Sequence, residues 1–308
     1  MDHNEIISWL LEGDVSIQYQ VFRDLLLEDK KELQGKIQDE GWGSELLSKR
    51  RSDGRWGLKF YQPKWTSSHY TLLDLRNLNI SPDNKLIKES IDLIAINEKG
   101  PDGGINPSGN INNSDVCING MFLNYASYFK TDMDKLIPVV DLILSQRMID
   151  GGFNCRLNRS GAVHSSLHTT ISAVEGIAEY RLNGYTYRLN ELKDVEQSSR
   201  EFMLHHHLFR SDKTGKIIHK KFLRLSYPGR WRYDILRALD YFRHSGSKWD
   251  DRMQPSIDVL ISKIRPDNRW PLQANHPGRT HFEMEKVRQP SRWNTLRAMR
   301  VLKHFGIE

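Results

Sequence analysis

Five short stretches gather the side chains of this sequence that can do chemistry. They read Trp65-Thr66-Ser67-Ser68-His69-Tyr70, Ser114-Asp115-Val116-Cys117-Ile118-Asn119, His164-Ser165-Ser166-Leu167-His168-Thr169-Thr170, Arg230-Trp231-Arg232-Tyr233-Asp234 and Ser291-Arg292-Trp293-Asn294-Thr295. Each combines hydroxyls with an imidazole, a thiol, a carboxylate or a guanidinium. His69, Tyr233 and Asp234 are candidates for proton transfer. Trp65, His164, Arg230, Arg232, Arg292 and Asn294 are candidates for holding a substrate. The last two stretches look like repeats of each other, since both lead into Leu-Arg-Ala, at Leu236-Arg237-Ala238 and Leu296-Arg297-Ala298. Their Arg-Trp pairs have two readings: a cationic, aromatic wall for an anion or planar group, or guanidiniums stacked on indoles for structure alone.

These stretches recur because the chain is built from repeats. Four turn motifs precede or separate them: Ser52-Asp53-Gly54-Arg55-Trp56-Gly57, Pro101-Asp102-Gly103-Gly104-Ile105-Asn106, Ile149-Asp150-Gly151-Gly152-Phe153-Asn154 and Pro266-Asp267-Asn268-Arg269-Trp270-Pro271. Asp followed by Gly suits a tight turn with positive φ, and the large apolar residue after it can plug the gap between helices. Apolar spacing predicts helices before the turns at 30–51, 82–97, 132–148 and 250–265. It predicts others after them at 66–78, 115–129, 165–182 and 290–305. Residues 188–208 and 230–244 form a further pair, 16–28 fit the start of the series, and a short helix near 4–12 supplies the last outer position that closes the ring. Strand-like alternation is rare, so the expectation is an all-α fold over residues 1–308 as one domain. About six hairpins of roughly 50–65 residues close most economically into an α/α toroid, which needs no polar end caps.

The turn motifs resemble those of protein prenyltransferase β subunits and squalene cyclases, over most of the chain from about residue 50 onward. The resemblance implies inner helices whose N-terminal ends point into a central cavity that holds an isoprenoid-like or other small ligand. It also implies a metal site. That family carries Asp-x-Cys at one inner helix start and His-Thr at the next, and the matching residues are Asp115, Cys117 and His168. Zn²⁺ takes these donors and keeps a fourth position open when catalytic. Asp115 must then sit at or before the helix N-cap, because residues i and i+2 of a helix point apart. His69 and His164 are reserve ligands. Zinc there would activate a thiol or water.

Several family features are missing. The segment before Asp115, Ser108 to Asn113, has none of the cations that hold a prenyl diphosphate, and Ile118 replaces an aromatic residue. Arg230, Arg232, Arg292 and Arg297 are the available substitutes. No Asp-x-Asp-Asp acid and no Asp-Asp-x-x-Asp magnesium motif occurs; Asp250-Asp251 falls at an expected outer loop. His205-His206-His207 reads as surface. The expected function is therefore a zinc-dependent transferase acting in the cavity. The alternatives are a carbohydrate-active enzyme, with Asp115 and Asp234 as its carboxylates, and a non-catalytic scaffold for a lipid or anion.

The bulk numbers fit. The chain has 308 residues, with 45 basic and 39 acidic, for a net charge of +6. That excess is spread out, unlike the basic face of a nucleic-acid binder. No apolar run is long enough to span a membrane. Two cysteines and no secretory pattern at the N-terminus lead us to expect a cytoplasmic protein without disulfides.

Overall fold

A computed structural model describes residues 3–108 and 111–307. The chain is all-helical, with only isolated β-bridges among the described residues. In order, the α-helices are α1 His3–Leu11, α2 Val15–Val21, α3 Lys31–Lys36, α4 Gly41–Ser48, α5 Ser68–Asn77, α6 Lys85–Asn97 and α7 Val116–Tyr128. Then follow α8 Met133–Ser145, α9 Leu157–Ser160, α10 Leu167–Leu182, α11 Leu189–His205, α12 Ile235–His244, α13 Gln254–Ile261 and α14 Arg292–Phe305. None of them is long and apolar enough to cross a membrane.

Two kinds of helix alternate. One kind is amphipathic. In α6, Ile87, Ile91 and Ile94 are buried while Lys85, Glu89 and Asn97 are not, and Asn84 caps the first turn by accepting from the Ile87 N–H at 3.2 Å. In α8 the buried stripe is Leu136, Val139, Val140 and Ile143. The spacing of three and four lays such residues on one face. The other kind is buried on nearly every side: α7 exposes almost nothing between Ile118 and Ser127, and α10 is similar from Thr169 to Tyr180. These two helices pack directly on each other. Their backbones touch at Gly120 and Gly176, where a Cβ on Gly176 would stand 2.3 Å from the Gly120 carbonyl oxygen.

The four turn motifs lock each hairpin in the same way. The apolar residue of the motif donates its backbone N–H to a side chain in the first turns of the next buried helix. Trp56 donates to Ser68 Oγ at 2.9 Å, Ile105 to Asn119 Oδ1 at 2.8 Å, Phe153 to Thr170 Oγ1 at 3.0 Å and Trp270 to Thr295 Oγ1 at 3.0 Å. Trp56 and Trp270 also donate Nε1–H to the carbonyls of Leu46 and Leu260 at the ends of the preceding helices, at 2.7 and 2.8 Å. The motif residue two before the apolar one has positive φ in every case: Gly54, Gly103, Gly151 and Asn268.

The expected helix over 30–51 is two helices, α3 and α4. Gly41 turns the chain at φ +63°, and Asp14 holds that turn by accepting the Trp42 N–H at 2.8 Å. The expected helix over 250–265 shortens to α13 behind a 3₁₀ turn at Asp251–Met253, since Pro255 lacks the N–H that an earlier start would use.

Candidate functional site

Much of the polarity at the helix starts closes the repeats. Asp234 caps α12, with Oδ1 accepting from the Arg237 N–H at 2.8 Å and Oδ2 from the Ser226 hydroxyl at 2.8 Å. Tyr233 is buried and donates its hydroxyl to the Leu208 carbonyl at 2.5 Å. Asn294 donates to the Pro271 carbonyl at 3.0 Å. Arg292 lies on the Trp9 ring at 4.6 Å and donates to the Trp9 carbonyl at 2.9 Å, so it ties α1 to α14. His69 is fully buried among Phe60, Tyr61, Tyr70 and Tyr125, and burial pushes its imidazole down to about 3. It is a neutral ring at any ordinary pH. His164 is exposed on a separate surface groove beside His205 and His206.

The metal candidates divide between two places. Asp115 occupies the N-cap position of α7, with extended backbone at φ −72° and ψ 121°, as the Asp-x-Cys pattern requires. Cys117 meets a residue that the motif does not contain, Cys155, whose sulfur accepts the Cys117 N–H at 3.2 Å. The Cys117 thiol is pushed up because it donates to Cys155, and the Cys155 thiol is pushed down because it accepts. His168 is held elsewhere: Nδ1 accepts the Tyr233 N–H at 2.8 Å, and its ring packs on Phe222 and Trp231. Among the described residues, no three His, Cys, Asp or Glu side chains converge so as to hold a metal. The donor set as it stands does not fit zinc. Of the cation-free segment before Asp115, Gly109 and Asn110 lie outside the described residues.

Cations do gather at this end of the helices. Lys64 lies 5.0 Å from the Trp65 ring and 5.1 Å from the Trp231 ring. Arg232 lies over Trp231 at 4.7 Å, and Arg230 over Trp65 at 4.8 Å. The stacked reading of the Arg-Trp pairs therefore holds for Arg230 and Arg232. Trp65 donates Nε1–H to the Pro277 carbonyl at 2.7 Å and so fastens the segment 275–285 over the interior.

The interior holds two chambers. The first, of about 330 Å³, is lined by residues of α2, α5, α7, α10, α12 and α14. The second, of about 340 Å³, lies under segment 275–285. Tyr227 and Arg230 line both, so the chambers adjoin. The lining of the first is polar and charged: Arg76 pairs with Glu179, and Arg237 with Glu175 at 2.6 Å. Next to their shared wall sits Asp74, on α5. It is 5 % exposed, lines the second chamber, and has one carboxylate oxygen without any hydrogen-bond partner. Burial raises its pKa to about 6, against the pull of Arg230, whose Nη2 is 3.8 Å away. His281 joins from the lid with Nε2 2.9 Å from Thr71 Oγ1; it is pushed down to about 4 by burial and then by Arg230.

Asp74 escaped the sequence reading because the candidates were sought at helix starts, and it sits two turns in. Its signal is a carboxylate inside the apolar run Leu72-Leu73-Asp74-Leu75. Burying such a group costs energy that a purely structural helix avoids. No family's sequence profile matches the chain, and no curated protein matches it.

Proposed function

We propose that α2, α5, α7, α10, α12 and α14 are the inner ring of an α/α toroid, and that the chain is an enzyme performing proton-transfer chemistry on a small polar substrate at its centre. One observation carries this reading: Asp74, a buried carboxyl with an unpartnered oxygen, lines a chamber and titrates near neutrality. A group with a pKa near the working pH can both take and return a proton. Perturbed groups in clefts are enriched at functional sites. The Arg230 guanidinium beside it, 3.8 Å away, can stabilise negative charge that develops when the substrate loses a proton. His281 closes the far side from the lid.

The ring is supported by the cavity itself, which all six helices line, and by the side-chain bonds that join first to last. Gln20 on α2 donates to the Asn77 carbonyl at the end of α5, and Arg300 on α14 donates to Gln20. A charged lining favours a polar ligand over an isoprenoid, because the displaced water must be replaced by groups that bond to the arginines. A transferase that depends on zinc would need a donor set other than Asp115, Cys117 and His168. A carbohydrate-active enzyme asks for two carboxyls facing one chamber. Asp74 supplies one of the two, but Asp234 is a helix cap, and Glu285 caps α14 through the N–H groups of Arg292 and Trp293.

The test is conversion. Pools of small polar metabolites are incubated with the full-length protein and followed by proton NMR. The reading expects at least one compound to be consumed by the wild type and spared by Asp74→Asn. Consumption at equal rates by both proteins would end it.

A further inference from the structure

Four arginines at one end of the first chamber share two carboxylates. Arg23 grips Asp24 through Nε at 2.7 Å and Nη2 at 2.9 Å. Arg300 bridges the two acids, with Nη1 2.9 Å from Asp24 and Nε 2.8 Å from Asp240. Arg243 Nε is 2.9 Å from Asp240, and Arg297 Nε is 3.4 Å from it. Elsewhere in the lining Arg76 pairs with Glu179 and Arg237 with Glu175, while Arg230 faces Asp74 of the second chamber. The cluster therefore carries two positive charges with no carboxylate against them. Apart from Arg23, these side chains are 16 % exposed or less.

Such an excess is costly. Desolvation disfavours each charge, and like charges repel more strongly where water is scarce. The arginines do not respond alike: Arg23 and Arg300 are raised because their carboxylate partners outweigh burial. Arg243 is pushed below the usual guanidinium range by burial and then by Arg300. Asp240 is held well below the carboxylate range, because Arg300 and Arg243 outweigh its burial. Among the described residues, Arg243 bonds only through Nε, so both of its terminal nitrogens lack a protein partner, and so does Nη2 of Arg297. Both residues line the chamber. Free guanidinium donors around an unfilled space are what a planar or tetrahedral oxyanion uses.

We infer that this end of the chamber binds a phosphoryl group, either inorganic phosphate or the phosphate of a small ester. A phosphate monoester brings a charge of about −1.5 to −2 at neutral pH and three acceptor oxygens, which meets the excess and the free donors together. A chamber of about 330 Å³ holds that group with a sugar-sized remainder directed toward Tyr227 and Arg230, the residues shared with the second chamber. The inference deepens the proton-transfer reading by naming the substrate class, and it rests on that reading only for the direction of the remainder.

Calorimetric titration of the full-length protein at low salt tests it without any turnover. The probes are inorganic phosphate, glycerol phosphate and malonate. Saturable one-to-one binding of at least one phosphoryl probe is expected, at least tenfold tighter than malonate. Arg243→Gln should weaken it at least tenfold, because this variant removes the unpartnered donors and keeps Asp240 paired with Arg300 and Arg297. Arg243→Lys should recover part of the loss, which shows that the variants fold. Asp74→Asn should still bind phosphate. Tighter inorganic phosphate than ester assigns the site to the free ion, and the reverse assigns it to an ester; either supports the inference. No saturable phosphoryl binding, tighter malonate, or undiminished binding in Arg243→Gln overturns it. The proton-transfer reading then stands or falls separately, on conversion in Asp74→Asn.

Discussion

Replacing Asp74 by Asn should change how stability depends on pH. The carboxyl titrates at about 6 in the fold, against about 3.9 for an ordinary aspartate. Between those two values the folded chain binds more protons than the unfolded one. Stability therefore falls as pH rises through this window, and the loss is complete above the folded value. A shift of about two units at about 1.4 kcal/mol each makes the ionised carboxyl cost up to about 3 kcal/mol at neutral pH. Asn cannot ionise and does not bear this cost. The variant relative to the wild type should thus gain up to about 3 kcal/mol between about pH 4 and about pH 7. Losing the contact with Arg230 adds an offset, but not a slope. Urea denaturation of both proteins at half-unit steps measures the difference. A difference that is flat with pH, or that moves against the variant as pH rises, refutes the argument.

Three further outcomes follow from other parts of the molecule. His69 is held neutral down to about 3, against about 6.5 for an ordinary imidazole, so stability present above the ordinary value is lost on acidification through the window between them. His69→Leu should flatten the fall, by about 1.4 kcal/mol per pH unit inside the window, in denaturation curves taken from about pH 6.5 downward. Gly176→Ala would drive a Cβ into the Gly120 carbonyl oxygen, and because backbone cannot step aside as a side chain can, the loss should exceed the roughly 1–3 kcal/mol of ordinary overpacking; a melting temperature within a degree or two of wild type contradicts the close packing of α7 on α10. Iodoacetamide should label Cys155 before Cys117, since the first accepts hydrogen bonds at sulfur and the second donates, and peptide mass spectrometry reads the order.

The sequence carried the helices well and the site poorly, for separate physical reasons. Amphipathic spacing and the Asp-Gly-apolar turns are local signals, and each survives in the structure as a helix end, a positive φ and one backbone-to-side-chain bond. The break between α3 and α4 falls at Asp39-Glu40-Gly41-Trp42-Gly43, which by sequence reads as another turn of the repeat type or a helix interruption, and its anchor Asp14, far away in sequence, shows only in the fold. Polar residues at the helix starts looked like a functional ring. Ser68, Asn119, Thr170, Thr295 and Asp234 are polar for another reason: each satisfies backbone groups that the repeat leaves open. Arg230, Tyr227 and Asp74 come together only through folding, from positions about 150 residues apart on the scale of the whole chain. The cluster of Arg23, Arg243, Arg297 and Arg300 draws on α12, α14 and the π-helical turn Phe22–Leu26 that follows α2, and no spacing in one segment announces it. Cys155 likewise belongs to no motif, and only the packing of its turn on α7 sets it against Cys117.

The central claim is that Asp74 exchanges a proton near neutral pH inside the chamber. Carbon-detected NMR of protein labelled at the aspartate carboxyl carbons measures this directly, with the Asp74 signal assigned by its disappearance in Asp74→Asn. The account predicts a midpoint at about 6, moved by ligands that fill the chamber. A midpoint at or below the ordinary aspartate value contradicts it, because the carboxylate would then be a permanently charged partner of Arg230 with no proton to give.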